Sequence, residues 1–469
     1  MNRRTKIVTT IGPASCSKEI IEKFFDLGVN VFRLNFSHGK HEIHSNVVDI
    51  IRKIESEKKR HVAILADLQG PKLRIGKLES SSINLVANQK ISLDLKSEIG
   101  NTQRIPFPHP EVMESLEIGH RLLLDDGKIE LKVVDVSQSS LTAIVVVPGK
   151  ISDNKGVNIP DTSLKRSPLT KKDLDDIEFI KKLDVDYIAQ SFVQSALDVK
   201  SLKALVGDQF KIVAKIEKPQ ALQDIDEIIK VADAIMVARG DLGVEMDLAY
   251  VPVAQKTLIA KARANFKPVI VATQMLESMI SASSPTRAEV SDVANAVFDG
   301  ADAVMLSAES AAGAYPCESV TIMDKIIKET ESSQHHKVER DFIRCESITP
   351  SEAIAAAAYQ LAENFQACAV VCSTITGATA MRVSHFRGYV PIYAMTPNLK
   401  TARSLSLVWG VTSYVCSEYD QFDHLIKAVN TFILSNHIAQ KGEKAIITGG
   451  NPVGRVGQTD LIQVLEVGS

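Results

Sequence analysis

The chain lacks any surplus of charge. Its 54 Lys and Arg face 57 Asp and Glu, a formal -3 over 469 residues, which gives no electrostatic footprint for nucleic acid or for an acidic membrane. It also lacks a long hydrophobic run. No uncharged apolar stretch reaches the ~18 residues of a spanning helix, and MNRRTKIVTTIGP passes into a strand pattern without an apolar signal core. Neither secretion nor membrane spanning is expected, and the expected location is cytoplasmic. Cysteine is sparse: Cys16, Cys317, Cys345, Cys368, Cys372 and Cys416 are scattered without paired zinc-ligand spacings, so they read as reduced thiols. Cys368 and Cys372 of CAVVC share one face of a predicted strand and read as a buried pair rather than a metal or redox site. No GxxxxGK[ST] run, kinase-type glycine loop, internal repeat or low-complexity tract is present. A nucleotide, if bound, must be held by arginines, a metal and a covering lid rather than by a P-loop.

What is there is a soluble globular composition, 45% hydrophobic and 24% charged, in a chain long enough for two or three domains. Short β-branched runs alternate with helical patterns. KIVTTIG, VNVFRLNFS, HVAILADL, VDYIAQSFV, KIVAKIE, DAIMVARG, PVIVATQM and ADAVMLSAES are each eventually followed by a helical segment, the count that closes a parallel (β/α)8 barrel. The alternation breaks after the third strand, roughly from Ile75 to Pro160. There the pattern is β-rich, with turn chemistry at Asp126-Gly127 and Pro148-Gly149. An insertion in a βα loop at a barrel mouth predicts a lid. Beyond the polar stretch ESSQHHKVERDFIRCES a smaller α/β unit with an open sheet begins. The expected architecture is a barrel over 1–74 and 161–333, a β-rich lid over 75–160 and a C-terminal α/β domain over 334–469.

Side chains at the C-terminal ends of barrel strands converge on one pocket. Lys215 and Glu217 stand two apart on AKIE and project to one side. Alone, Lys-x-Glu is an ordinary ion pair, but the next strand ends in Asp241, and two carboxylates from neighbouring strands suit magnesium. Lys215 beside them would neutralise charge on a transferring group. ARGDLG sets Gly240 and Asp241 at a predicted helix start, where free amides hold an anion or where Asp241 simply caps the helix. RLNFSHG places Arg33, Asn35 and Ser37 at i, i+2 and i+4, with Arg33 suited to phosphate and the other two to a cation. The spacing of His38, His41 and His44 does not point to zinc.

Several long motifs in order carry a resemblance over essentially the whole chain: TKIVTTIGPAS, VFRLNFSHG, DLQGPK, KGVNIP, AKIEKPQAL, MVARGDLGVE, ATQMLESM, PTRAEVSDVANAVFDGADAVMLSAESAAGAYP and GNPVGRVGQT. The chain resembles the pyruvate kinases. The resemblance implies phosphoryl transfer from phosphoenolpyruvate to ADP, giving pyruvate and ATP. It also implies magnesium as metal with manganese as the alternative, a TIM-barrel A domain, a B lid and a regulatory C domain in a cytoplasmic homotetramer. By the same resemblance Glu217 and Asp241 are the metal carboxylates, and Lys215 stabilises the phosphoryl group. Arg33 and Arg74 are active-site arginines, with Arg74 also beside the nucleotide, and Thr273 lies near the enolate carbon. The Gly240 and Asp241 amides hold the substrate carboxylate, and Asn35 and His38 lie near the nucleotide.

One stretch departs from the animal and yeast pattern DTKGPE. Here Leu68, Gln69 and Lys72 stand where those members have Thr, Lys and Glu. The chain therefore resembles the potassium-independent branch, in which Lys72 replaces a monovalent cation beside Asn35, Ser37 and Asp67. In CSTITGATA, hydroxyls and a glycine lie between a strand and a helix, an arrangement that cradles phosphate or merely caps the helix. Ser373, Thr374, Thr376, Gly377 and Thr379 align with the family's sugar-phosphate effector loop, which also raises AMP as an effector. The competing functions are a magnesium-dependent barrel aldolase, which has no use for RLNFSHG, the lid or the C domain, and a non-catalytic effector-binding protein, which has no use for Lys215, Glu217 and Asp241.

Overall fold

The computed structural model describes residues 3–162, 169–333, 335, 349–419, 421–450 and 457–469. Cys345, most of ESSQHHKVERDFIRCES and the Asn451–Val456 part of GNPVGRVGQT lie outside the described residues. The strands predicted for the barrel all form: β1 (Lys6–Ile11), β2 (Val31–Asn35), β3 (Ala63–Asp67), β4 (Tyr187–Gln190), β5 (Lys211–Ile216), β6 (Ala234–Ala238), β7 (Val269–Ala272) and β8 (Ala303–Leu306). They run in chain order around a closed parallel sheet in which β1 pairs with both β2 and β8. Burial on both faces explains their near-continuous apolar runs. Val8, Val31, Leu65, Val213, Met236 and Ile270 fill the interior, and Leu407 of the C-terminal domain joins that core. The surrounding helices start where the sequence supplies caps. Thr170 with Asp173 and Thr286 with Glu289 complete capping boxes at Lys171–Ile180 and Arg287–Phe298, each satisfying orphan amides at both partners.

Between β3 and β4 the chain builds a β domain with its own apolar core. It contains a six-stranded sheet and a two-stranded ribbon of Ser82–Leu85 with Gly149–Ser152. The outgoing and returning chains meet at an isolated antiparallel bridge, Arg74 with Gly156. The returning chain is moored to the barrel by side chains. Asn158 Nδ2 donates to Glu245 Oε1 at 2.9 Å, Glu245 Oε2 lies 3.1 Å from Lys218 Nζ, and Gln220 Nε2 donates to the Pro160 carbonyl at 3.1 Å.

The C-terminal domain is a five-stranded sheet of β9 (Ala369–Ser373), β10 (Ile392–Thr396), β11 (Val411–Val415), β12 (Lys444–Gly449) and β13 (Leu461–Glu466), ordered β11-β10-β9-β12-β13. The edge strand β13, antiparallel to β12, is not foreseen in the sequence because LIQVLE has no flanking helix to mark it. The domain grips the N-terminal end of the barrel. Arg403 pairs with Glu55 at 2.7 Å and Asp184 at 2.9 Å, and the Tyr187 hydroxyl donates to the Ser404 carbonyl at 2.8 Å. The described cysteines are all free thiols, and among the described residues no helix is long and apolar enough to cross a membrane.

Candidate active site

Lys215 and Glu217 sit at the C-terminal end of β5, and their two-residue spacing brings the side chains together: Nζ lies 2.9 Å from Glu217 Oε1. Asp67, the last residue of β3, lies 3.2 Å from the same ammonium through Oδ1, while its Oδ2 accepts from Arg33 Nε at 2.6 Å. Arg33 comes from β2 and also donates to Thr10 Oγ1 of β1 at 2.9 Å. Residues from β1, β2, β3 and β5 thus meet at one end of the barrel, as convergence of parallel strands requires.

Two residues essential to this geometry escape the sequence reading. Ser191, just past β4, accepts from Lys215 Nζ at 2.7 Å and donates to the Leu68 carbonyl at 2.8 Å. The Phe192 amide donates to Glu217 Oε2 at 2.6 Å. The available signal was position, since the fourth strand also ends at the mouth. Gly70 makes room for this corner: with φ +69°, a Cβ there would lie 2.7 Å from the Phe192 ring and 3.0 Å from Ser191 Cβ.

Electrostatics divide the carboxylates. Burial would raise the Asp67 pKa, yet Lys215 and Arg33 outweigh it and hold Asp67 below its ordinary value. Burial opposes the Lys215 charge, but Asp67 and Glu217 prevail and raise its pKa above the ordinary lysine value. Glu217 goes the other way. Burial raises its pKa, Lys215 only partly compensates, and Asp241 adds to the rise. Asp241 is likewise raised by burial, against the opposing pull of Lys215 and Lys72 and with Asp67 and Asp126 adding to it. Glu217 and Asp241 are therefore the carboxylates whose burial outweighs the nearby ammonium charge, and both offer oxygen. That donor set fits a hard divalent cation that leaves positions for water and substrate oxygens.

Asp241 lies on the short helix Arg239–Glu245. The Gly240 amide donates to Thr273 Oγ1 at 2.7 Å, so the hydroxyl already occupies one of the amides expected to hold an anion. Thr273 and Gln274 have φ of 70° and 55°, a left-handed backbone uncommon outside glycine. Arg239 supports this turn by donating to the Thr273 carbonyl at 2.7 Å and pairing with Asp292 at 2.6 Å. From above, the lid turn at Asp126-Gly127 approaches the mouth: a Cβ on Gly127 would lie 3.8 Å from Val244.

Among the described residues, the other expected site residues make no side-chain hydrogen bond or ion pair to Lys215, Glu217 or Asp67, although Asn35 lies opposite Asp67 in the β2–β3 register. The row Arg33, Asn35, Ser37 is corrected, because β2 stops at Asn35, whose Oδ1 turns to accept from the Ser37 amide at 3.1 Å. That turn ends the alternation on which the row depended. His38 is exposed. His41 pairs with Asp176 at 2.7 Å and stacks on Phe179, while His44 stacks on Phe36. Arg74 is exposed in the lid root and donates to the Asn154 carbonyl at 2.7 Å, outside the Lys215 cluster. Lys72 is exposed and acts on Asp241 through space.

In the C-terminal domain, Ser373, Thr374, Thr376 and Thr379 line one cleft with Arg382, Gln458 and Thr459. Gly377, at φ +88°, precedes the helix Ala378–His385 and donates its amide to Thr374 Oγ1 at 3.0 Å. Thr379 and Thr459 hydroxyls meet at 2.8 Å.

Residues 2–320 match the family model described as pyruvate kinase, barrel domain, and residues 352–465 the one described as pyruvate kinase, alpha/beta domain. A pyruvate kinase of Agrobacterium vitis is 45% identical over 472 residues, spanning 100% of this chain and 99% of its own. One from Methylorubrum extorquens is 45% identical over 464 residues, spanning 99% and 97%. The crystal structure of a pyruvate kinase from Cryptosporidium parvum has a TM-score of 0.93 at 33% identity, covering 99% of this chain and 96% of that one. Barrel, inserted β domain and C-terminal sheet, together with matches along nearly the full length, establish that the chain belongs to the pyruvate kinase family.

Proposed function

We propose that this enzyme runs the pyruvate kinase reaction with magnesium and without a monovalent cation, using the residues clustered round Lys215. The carrying observation is the Lys215 ammonium held 2.9 Å from Glu217 and 3.2 Å from Asp67 at the barrel mouth, with Asp241 acting on Lys215 and Glu217 through space. In the reaction, the bond between the enol oxygen and phosphorus of phosphoenolpyruvate breaks, and a terminal oxygen of ADP bonds to phosphorus. The enolate left behind takes a proton at carbon to become pyruvate. Glu217 and Asp241 would hold magnesium, which when bound supplies Lewis-acid polarisation of phosphoryl and enolate oxygens. Manganese has the same oxygen preference.

Arg33 and Lys215 act on the phosphoryl group, whose charge is spread over its equatorial oxygens in transfer. Asp67 orients both cations. The Gly240 and Asp241 amides receive the substrate carboxylate, which requires the Gly240 amide to exchange its Thr273 partner for the ligand. Thr273, whose hydroxyl hydrogen must first leave the Ala272 carbonyl it meets at 2.6 Å, passes a proton to the enolate carbon through water, which returns a proton to the hydroxyl. Arg74, Asn35 and His38 receive the nucleotide as the lid comes down. Lys72 supplies the charge that a monovalent ion supplies elsewhere beside Asn35, Ser37 and Asp67; its field at Asp241 supports that role.

The same reading takes the Ser373–Thr379 cleft as a sugar-phosphate or AMP site, supported by its hydroxyls and Arg382. It places the domain limits at 74/75, 160/161 and 333/334. It makes the enzyme a cytoplasmic homotetramer, with exposed Leu248, Tyr250 and Val253 offering apolar surface to another copy. One steady-state assay tests most of this. Pyruvate should form from phosphoenolpyruvate and ADP only with magnesium or manganese, at full rate in potassium-free buffer, and with a lowered half-saturating phosphoenolpyruvate concentration when a sugar phosphate or AMP is added. Strict dependence on potassium would overturn the role given to Lys72.

A further inference from the structure

The sequence sets two threonines in tandem on β1, and the strand turns them to opposite faces. Both are buried, Thr9 fully and Thr10 at 3% exposure. Among the described residues Thr9 Oγ1 makes no hydrogen bond. Thr10 is the register partner of Arg33 on β2, and its hydroxyl is used twice. It accepts from Arg33 Nη1 at 2.9 Å and donates to the carbonyl of Leu306, the last residue of β8, at 2.9 Å. The Thr10 backbone is held as well: its amide donates to Ser310 Oγ at 3.1 Å, and its carbonyl accepts from Ser310 Oγ at 2.9 Å. Ser310 is fully buried on the short helix Ala308–Ala311.

Arg33 is thereby anchored on two different nitrogens. Asp67 takes Nε at 2.6 Å from the β3 side, and Thr10 takes Nη1 from the β1 side. A guanidinium is a rigid planar fork, so one anchor leaves it free to swing about that contact, whereas two fix its direction. A hydroxyl carries a single hydrogen. Because the Thr10 hydrogen goes to Leu306, what it turns to Arg33 is a lone pair, carried by a strand already paired on both sides. Arg33 makes no other side-chain hydrogen bond among the described residues. Nη2 and the second hydrogen of Nη1 therefore remain for a ligand.

We propose that Thr10 is a positioning residue for phosphoryl transfer: together with Asp67 it holds the unpaired edge of the Arg33 fork in the direction that the oxygens of the transferring group require. Thr10 acts only through Arg33, and its role rests on the reading that Arg33 acts on the phosphoryl group. Such placement matters because a misplacement of about 1 Å in a catalytic group reduces rate roughly 10²-fold. The role needs the hydroxyl and not the β-branched shape, so serine satisfies it and valine does not. Thr9, with the same side chain on the other face of the strand, has no part in it.

A double-mutant cycle on the full chain tests it, read as kcat/KM for phosphoenolpyruvate at saturating magnesium and ADP. Thr10→Val should lower kcat/KM about tenfold or more, the scale of a hydrogen bond to a charged group. Thr10→Ser, which keeps that bond, should stay within about threefold of the parent. Arg33→Leu should lower it at least about 10²-fold. In the Arg33→Leu background, Thr10→Val should add less than about a further threefold, because a residue that acts through Arg33 then has nothing to position. Thr9→Val makes the same change on the opposite face and should stay within about threefold of the parent. If Thr10→Val melts well below Thr9→Val, Thr10→Cys takes its place, its thiol being a weak acceptor, with a loss of at least about threefold expected. Undiminished activity in Thr10→Val, or a double variant whose loss is the product of the two single losses, would overturn the positioning role while leaving Arg33 as the phosphoryl contact. Full activity in Arg33→Leu would overturn the reading of Arg33, and the role of Thr10 with it.

Discussion

Ser191 Oγ accepts from the Lys215 ammonium at 2.7 Å and donates to the Leu68 carbonyl at 2.8 Å. Its one hydroxyl hydrogen is committed to Leu68, so the lone pair facing Lys215 has a fixed direction.

Ser191→Ala should therefore lower kcat roughly tenfold to a hundredfold, the scale of a hydrogen bond to a charged group, with a smaller change in KM. Lys215→Met should lower turnover by about 10² to 10³ or more, as expected for loss of a transition-state electrostatic partner, while circular dichroism shows a folded barrel. Equal kcat in either variant and the parent would refute the role assigned to that residue.

Metal and pH should be linked with a definite sign. Burial raises the Glu217 and Asp241 pKa values, so the metal-free fold binds their protons more tightly than the unfolded chain does. That contribution to stability is present at low pH and disappears as pH rises through the folded-state pKa values. A divalent cation takes the place of those protons. The rise in Tm on adding magnesium should accordingly be larger at neutral pH than within the ordinary carboxylate range, and Glu217→Gln should remove most of the difference. An identical rise at both pH values would contradict the assignment. Asp67 has the opposite sign: its lowered pKa supports the fold above the ordinary carboxylate range and ceases to do so as pH falls.

Lys72→Met should reduce turnover roughly tenfold in potassium-free buffer, on the scale of a lost electrostatic contribution. Potassium chloride should restore part of the loss. Unchanged activity without potassium would show that Lys72 supplies no such charge.

The lid root offers a stability test. Lys218 and Glu245 form a buried pair at 3.1 Å, and Asn158 of the returning chain shares the carboxylate. Glu245→Ala should destabilise the enzyme by about 3–5 kcal/mol, the scale for stranding one partner of a buried pair, read by denaturant unfolding. Asn158→Ala should have a smaller effect. A Glu245 variant as stable as the parent would mean that solvent already reaches the pair.

The barrel was legible because each strand is buried on both faces and reads as an apolar run. Lys215 and Glu217 were legible because a two-residue spacing on a strand is a local rule. Ser191 was not, because a serine after a strand is ordinary, and its importance lies in which lysine the neighbouring strand sets against it. The mooring of Asn158 to Glu245 spans 87 positions and leaves no local trace. The misread row on β2 shows a competing local rule: the Asn35 side chain bonds its own backbone two residues on and ends the strand that the alternation alone would have continued.

β4 carries a mechanical consequence. Its first residue, Tyr187, is fastened to the Ser404 carbonyl, and four residues later Ser191 is fastened to Lys215. An extended strand advances about 3.3 Å per residue and resists further stretching, so these fastenings stand roughly 13 Å apart at the two ends of an inextensible rod. The same short stretch therefore holds the C-terminal domain at one end and the Lys215 ammonium at the other.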